Sequence, residues 1–417
     1  MDQGLAALRN LLLSAWRGLP RPVRASAHVA SARFLAATLP LLVHARWRRT
    51  PTRANAQIVI GGFFRSTSGL GQGARLFTAA LDDRLARVLD VTERLGVRAN
   101  LPPAGDRMGS DKGPPVLLTH LNPPELTRLL QLTGASVLSG RRHIGYWAWE
   151  LPRAPQSWRR ACHYVDEVWV PSRFTAEAIR AIAPPGLPVR VVPHPVSMMP
   201  RGRADRARFG LPDDRTLVFA ALDLRSTLAR KNPFGALEAY AAATPGRAGD
   251  TLLVCKASNL DADPEAGERL RALMASRSDV VLLEENLSSL DMSSLIASTD
   301  IVLSMHRAEG FGLVLAEAMW LGKAVVATGW SGNMDFMDEE TSVLIPYTMV
   351  PVSDAQAMYA NATWAEPKLD HAAEKLAWLI RDADARRSLG EAARRRAEEV
   401  FEITRWRSRV DHFLDGR

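Results

Sequence analysis

The sequence predicts an α/β protein made of parallel sheets in two Rossmann-like domains that face each other across a cleft. Three observations carry this expectation. Short apolar, β-branched runs alternate with helical patterns from about residue 57 to residue 400. Twice such a run ends in a glycine loop that opens a helix, first at Gln57–Gly73 and again at Asp300–Gly312. A length of 417 residues suits two or three domains, and Pro193-His-Pro-Val196 is a proline-stiffened break near the middle. The divisions read from this pattern are a tail at 1–54, a first domain at 55–195, a second at 196–395 and a closing helical segment at 396–417.

Composition narrows the class. Apolar residues make up 47% and charged residues 24%, ordinary for a soluble globular chain. Cys162 and Cys255 stand far apart in no metal spacing, which argues against a disulfide framework and makes the cytoplasm the default compartment. The net charge is +8, but residues 1–53 alone hold nine Arg and a single acid, Asp2. The remainder balances to neutrality, so the charge gives the body no nucleic-acid-binding character.

In the tail, Leu5, Leu8, Leu12, Ala15 and Trp16 share one helical face, and a second apolar run, Phe34–Val43, precedes Arg46-Trp-Arg-Arg49. That run is far short of the ~20 residues a membrane span needs. A basic amphipathic segment with Trp16 and Trp47 fits a helix lying on an anionic membrane surface. A helical arm packed on the body and a transit-like sequence are the alternatives. The expected location is the cytoplasm, peripheral to the membrane.

The first domain opens with Gln57-Ile-Val-Ile-Gly-Gly-Phe-Phe64 as a strand, the loop Arg65–Gly73, and a helix through about Leu85. The loop lacks Gly-x-Gly-x-x-Gly and the Walker Lys, so it is neither a dinucleotide site nor a P-loop. Val116–His120 and His143–Glu150 are further strands. They leave His120 and Glu150 at carboxyl ends, where open α/β sheets bind ligands. An apolar strand end solvates Glu150 poorly. Of Tyr146, Trp147 and Trp149, some belong to the core and others offer faces to sugar rings. Asp166–Ser172 and Val189–Val192 complete the half, and His194 reads as a linker residue.

The second domain opens with the strand Thr216–Leu222. The loop Asp223–Pro233 after it places Arg225 and Lys231 six apart before a helix at Phe234–Ala243. Such a cationic pair suits a diphosphate, with the Arg fork for bidentate contacts and the Lys as a point charge. Arg230 is able to stand in for either. Thr251–Cys255 and Val280–Leu283 are strands. Asp261-Ala-Asp263 and Asp382-Ala-Asp384 follow no clear strand and read as solvent-exposed, so no metal site is expected. Tyr347–Pro351 and Trp364–Pro367 read as irregular, and the chain is helical from His371.

The segment everything else surrounds is Glu309-Gly-Phe-Gly-Leu-Val-Leu-Ala-Glu317, between the strands Asp300–Ser304 and Lys323–Thr328. Leu313–Leu321 is a short helix stopped by Gly322. A helix starting right after Gly310-Phe311-Gly312 aims free amides and its positive dipole end at the loop mouth, where an anion sits well. Glu309 stands at the mouth, and Glu317 lies roughly 7.5 Å along the helix at ~1.5 Å per residue. Acids do not bind phosphate, but they accept hydrogen bonds from vicinal hydroxyls, so the pair suits a nucleotide sugar.

His306-Arg-Ala-Glu-Gly-Phe-Gly-Leu-Val-Leu-Ala-Glu-Ala318 resembles the retaining GT-B glycosyltransferases of family 4. Their Glu-x7-Glu signature implies that Glu309 faces the donor sugar and Glu317 binds the ribose. The resemblance extends to the spacing of Arg225 and Lys231, implied to hold the pyrophosphate. It also implies that the Gly69 and Gly71 loop faces the donor phosphates, and that the last helix, with Trp406 and Phe413, crosses back onto the first domain. Members often carry a His at the end of a first-domain strand near the donor sugar; here that catalytic position stays open between His120 and Glu150.

The implied reaction is metal-independent transfer of a sugar, with retention, from a nucleotide sugar such as GDP-mannose. With the basic tail, a saccharide acceptor on a lipid in bacterial polysaccharide assembly is expected. A soluble acceptor is the runner-up, and a non-catalytic sugar-binding or scaffold protein is the reading from another class. No nucleic-acid partner is expected.

Overall fold

The computed structural model describes residues 56–102, 116–138, 140–224, 226–245, 249–353, 359 and 361–415. The expectations for the 1–54 tail and for Arg225 lie outside these residues.

In the first half, β1 (Ile58–Gly62) leads through a loop into α1 (Gly69–Ala80). Then follow β2 (Leu85–Asp90), β3 (Val116–Thr119), α2 (Pro123–Thr133), β4 (Arg142–Tyr146), β5 (Glu167–Val170), α3 (Arg173–Arg180) and β6 (Val189–Val191). The six strands form one parallel sheet in the order β2-β1-β3-β4-β5-β6. Ile58, Val59 and Ile60 are all buried because both faces of the sheet are covered, which is why β1 reads as an unbroken apolar run.

The second half contains β7 (Thr216–Asp223), the one-turn α4 (Leu228–Lys231), α5 (Pro233–Ala243), β8 (Thr251–Ser258), α6 (Pro264–Ala275), β9 (Val280–Leu283) and α7 (Ser289–Ala297). It continues with β10 (Ile301–Ser304), α8 (Leu313–Trp320), β11 (Ala324–Thr328) and β12 (Val343–Ile345). Its parallel sheet runs β12-β11-β10-β7-β8-β9.

Each sheet has one point where the chain reverses its direction of winding, between β1 and β3 in the first and between β7 and β10 in the second. Loops leaving such neighbours part to opposite faces and open a crevice at the strand carboxyl ends. The two crevices face each other.

The chain passes from one sheet to the other at Pro193–Val196 and returns at its end. After α9 (Leu369–Arg381) and α10 (Ala383–Val400), the helix α11 (Ile403–Leu414) packs against the first sheet. There Trp406 Nε1 donates to Pro193 O at 2.7 Å, Arg142 Nη1 donates to Leu414 O at 2.8 Å, and Arg84 pairs with Asp411.

Two elements differ from the sequence reading. The helix expected through Leu85 stops at Ala80, and Leu85–Asp90 becomes the edge strand β2, because pairing with β1 satisfies its backbone. The two stretches read as irregular pair with each other as an antiparallel hairpin, β13 (Tyr347–Pro351) and β14 (Thr363–Pro367).

Candidate active site

A cavity of about 500 Å3 fills the space between the two crevices. Glu309, Gly310, Phe311, Gly312 and Glu317 line it from the β10–α8 segment, and Arg230 and Lys231 line it from the β7–α5 loop. Gly69, Glu150 and His194 line it from the first domain.

The loop before α8 is built to hold its shape. Gly312 sits at φ +94°, a left-handed conformation that a side chain would strain. Glu309 N donates to Ser331 Oγ at 2.9 Å, and Gly332 N donates to Glu309 O at 2.9 Å. From across the cleft, Ser172 Oγ and Thr175 Oγ1 donate to Gly310 O at 2.6 and 3.2 Å. The turn at Gly329–Asp335 therefore braces the loop from behind, through Ser331 and Gly332.

The start of α8 meets the start of α1. A Cβ placed on Gly69 would find only Leu313 Cδ1, 3.9 Å away, so two helix N-termini open onto one cleft. Gly71 plays a different part from the one expected. It is not among the cleft-lining residues, and a Cβ there would lie 2.5 Å from Phe63 O and 2.6 Å from Ser66 O. Gly71 is confined by the turn, whereas Gly69 faces the cleft.

Glu309 accepts from Lys231 Nζ at 2.5 Å and lies 3.3 Å from Arg230 Nη1. Burial alone would raise its carboxyl, but the Lys231 and Arg230 charges outweigh burial and hold its pKa at about 2. Glu317, 8% exposed, has no such cation. Burial pushes it up to about 7 against a hydrogen bond from Ser293.

Arg230 corrects its expected role as a spare phosphate ligand. Its guanidinium is buried and already engaged: Nη1 donates to Ala308 O at 2.7 Å, and Nη2 donates to Ser226 Oγ at 2.5 Å. Glu309 and, at 3.5 Å from Nε, Glu150 flank it. Arg230 holds acids in place, while Lys231 keeps a share of its surface open, its side chain 23% exposed.

The geometry places His120 and Glu150 in different surroundings. His120 lies outside the cleft lining and is fully buried, its ring stacked on Tyr146 at 4.4 Å and edge-on to Phe77 at 4.6 Å. Burial, helped by His194, pushes its pKa well down. His120 is a packing residue behind the wall, and Glu150 is in the wall. β4 ends at Tyr146, so Glu150 lies in the loop beyond it rather than at the strand end expected, with Arg230 beside its carboxylate and the Tyr359 hydroxyl donating to it. His194 is a linker residue, as read from sequence, but it also lines the cleft, edge-on to Phe311 at 5.1 Å.

Sequence reasoning missed Tyr359 and Lys256. Lys256 had a signal, a lone charge at the carboxyl end of an apolar strand. It is 3% exposed and donates to Ala257 O and Ser258 Oγ, both at 2.9 Å. The two Asp-x-Asp stretches are occupied elsewhere. Asp263 and Asp382 cap α6 and α10, Asp261 pairs with Arg98, and Asp384 pairs with Arg387.

With this geometry in hand, comparison with known proteins is specific. Residues 205–396 match the family model of glycosyl transferases group 1. The trehalose synthase of Pyrococcus horikoshii is 28% identical over 126 residues, 30% of this chain and 25% of that protein. The chain thus spans about a quarter of the length of the curated relatives it matches. Among solved structures, Anabaena HepE in complex with UDP and glucose aligns with a TM-score of 0.59 at 15% identity, covering 87% of this chain and all of that one. The sucrose-phosphate synthase of Thermosynechococcus elongatus aligns with a TM-score of 0.61 at 14% identity, covering 86% of this chain and 99% of that one. At such identities the likeness concerns the fold, and the fold is GT-B: two facing Rossmann-like domains, as the motif resemblance implied.

Proposed function

We propose that this chain is a nucleotide-sugar-dependent glycosyltransferase that transfers the sugar with retention. One observation carries the reading. The carboxylate of Glu309 is held ionised by Lys231 and Arg230 at the mouth of α8, inside a cleft onto which two helix N-termini open.

With a pKa of about 2, Glu309 is no general acid or base near neutral pH. Its work is to accept hydrogen bonds from donor-sugar hydroxyls and to oppose positive charge developing on the sugar ring. Glu317 takes the ribose hydroxyls. Lys231, with Arg225, takes the pyrophosphate together with the amides of α8 and the Gly69 turn, and stabilises the charge that leaves with the nucleotide. The bond from the anomeric carbon to the phosphate oxygen breaks, and the acceptor oxygen bonds to the same face. The acceptor's proton passes to the departing diphosphate. Protein cations supply the charge neutralisation, so the reading needs no metal.

For the donor, GDP-mannose follows from the motif resemblance, while the neighbour solved with UDP makes uridine sugars an equal first choice for testing. For the acceptor, a lipid-linked saccharide in polysaccharide assembly rests on the basic tail at residues 1–50, which would hold the enzyme on the inner membrane face. Relatives named for trehalose and sucrose phosphate favour a soluble sugar as the second reading. Among the described residues no helix is long and apolar enough to cross a membrane. Removal of residues 1–50 is expected to abolish sedimentation with anionic vesicles.

The decisive experiment is a screen of UDP and GDP sugars for hydrolysis and thermal stabilisation, followed by Glu309→Gln. That variant is expected to bind nucleotide and to lose transfer by about 10²–10³-fold. A chain that binds neither nucleotide, or a variant that transfers at the wild-type rate, overturns the reading.

A further inference from the structure

We infer that Tyr359 is a positioning residue of the transfer site, the outer end of a latch that runs across the cleft through Glu150 and Arg230 to Glu309. The inference rests on the function proposed above and adds a residue that no motif marks.

Tyr359 belongs to the connection between β13 and β14, on the second domain, yet it sits in the hydrophobic cluster of the first domain. Its ring meets Trp149 edge-on at 5.6 Å, and Trp149 in turn meets Trp158 at 4.9 Å. The residue is 3% exposed, so its hydroxyl requires a partner, and it donates to Glu150 Oε1. The same oxygen lies 3.5 Å from Arg230 Nε, and Arg230 Nη1 lies 3.3 Å from Glu309 Oε1. Four side chains from four segments thus form one line, and the contact between Tyr359 and Glu150 joins the two domains.

The hairpin that carries Tyr359 is fastened to the same loops. Arg307 Nε and Nη2 donate to Glu366 at 2.5 and 2.8 Å, and Arg307 Nη1 donates to Ala229 O at 2.5 Å. Arg307 N donates to Arg230 O at 2.8 Å, and Ala365 N donates to Arg307 O at 3.0 Å. The hairpin, α4 and the loop carrying Glu309 are therefore tied into one body. That body touches the first domain at Glu150 and, through Gly310 O, at Ser172 and Thr175.

One detail shows the line to be poised. Arg230 Nε is buried and makes no hydrogen bond, its nearest acid being Glu150 Oε1 at 3.5 Å. A buried guanidinium N–H without a partner is costly. Closure of the domains by a few tenths of an ångström would complete that bond and fix Arg230, and with it the carboxylate of Glu309. The Tyr359 hydroxyl holds Glu150 in position for this step.

The test is Tyr359→Phe in the full chain, which keeps the ring packing and removes the hydroxyl. Nucleotide affinity, measured with UDP and GDP, is expected to stay within about twofold of wild type. The kcat of transfer is expected to fall about tenfold with the donor KM unchanged. Glu150→Gln is expected to lower kcat at least as far, and the double variant no further than Glu150→Gln alone, because the hydroxyl acts through the carboxylate. Wild-type kcat in Tyr359→Phe, or losses that simply add, overturns the latch. If either occurs in an enzyme whose Glu309→Gln variant is dead, only the latch falls. If Glu309→Gln transfers normally, the proposed function falls and takes the latch with it.

Discussion

Glu309 and Glu317 are the same residue on the same loop and helix, and their surroundings give them opposite acid–base behaviour. Glu309 has cations at contact distance and stays ionised down to a pKa of about 2, whereas Glu317 has burial without a cation and titrates near 7. The stability signs are therefore opposite. Glu309 contributes stability above about pH 4.5 and loses it as pH falls towards 2. Glu317 favours the folded state below about 4.5 and costs progressively more up to about 7, on the order of 3 kcal/mol in total. If Glu317 receives ribose hydroxyls as a carboxylate, binding must release its proton on the acid side of 7. Titration calorimetry is expected to show nucleotide affinity falling as pH drops from about 7 to 5.5, with part of the slope removed by Glu317→Gln. An identical slope in that variant would take Glu317 away from the ribose. At this scale the sequence showed some of the residues that meet but not what each one does. The placing of Lys231, Glu309 and Glu317 in the segments that follow the neighbouring strands β7 and β10 was enough to bring them to one cleft. His120 and Glu150 look alike as strand ends, and only the packing of Phe77 and Tyr146 over His120 separates them. Tyr359 lies 209 residues from its partner Glu150, so no local pattern points to it.

Among elements, the glycine turn of the first domain holds two glycines in unlike surroundings. Gly71 is confined by two backbone carbonyls, so Gly71→Ala is expected to distort the turn and to lower the melting temperature together with nucleotide affinity. Gly69 faces open space towards Leu313, so Gly69→Ala is expected to leave the melting temperature unchanged. Its nucleotide affinity is nevertheless expected to drop several-fold, because the new methyl occupies the approach to the α1 amides. Equal affinity in Gly69→Ala and wild type, by the same calorimetry, would show that the donor does not come near this turn. Buried parallel strands such as β1, β10 and β11 were legible because both faces are covered and nearly every residue is apolar. The edge strand β2 and the β13–β14 hairpin were not. Leu-Ala-Arg-Val-Leu-Asp carries no continuous apolar run, and the hairpin pairs strands separated by a long connection rather than a tight turn.

For the whole molecule, the neutral body is an average of two unlike halves. Residues 56–195 hold 17 Lys and Arg against 11 Asp and Glu, and residues 196–417 hold 27 against 33. Opposite net charges favour approach of the domains, and Arg173–Asp335 and Arg98–Asp261 are places where a cation of the first half meets an acid of the second. The halves are also tied twice by the chain, at Pro193–Val196 and through α11, and Trp406 joins the two ties by donating to Pro193 O. Trp406 is 5% exposed and packs edge-on to Phe77 at 5.0 Å, so it belongs to the core of a domain from which it is remote in sequence. Trp406→Ala is expected to cost the first domain about 3–5 kcal/mol, a large part of a typical domain's stability. Calorimetry of the variant is then expected to split one unfolding transition into two, the first domain melting earlier. A nucleotide held mainly by the second domain should raise the later transition more than the earlier one, since ligand stabilises only the unit that binds it. A single transition that nucleotide shifts as a whole would show instead that the cleft contacts alone couple the domains, with α11 a passive passenger.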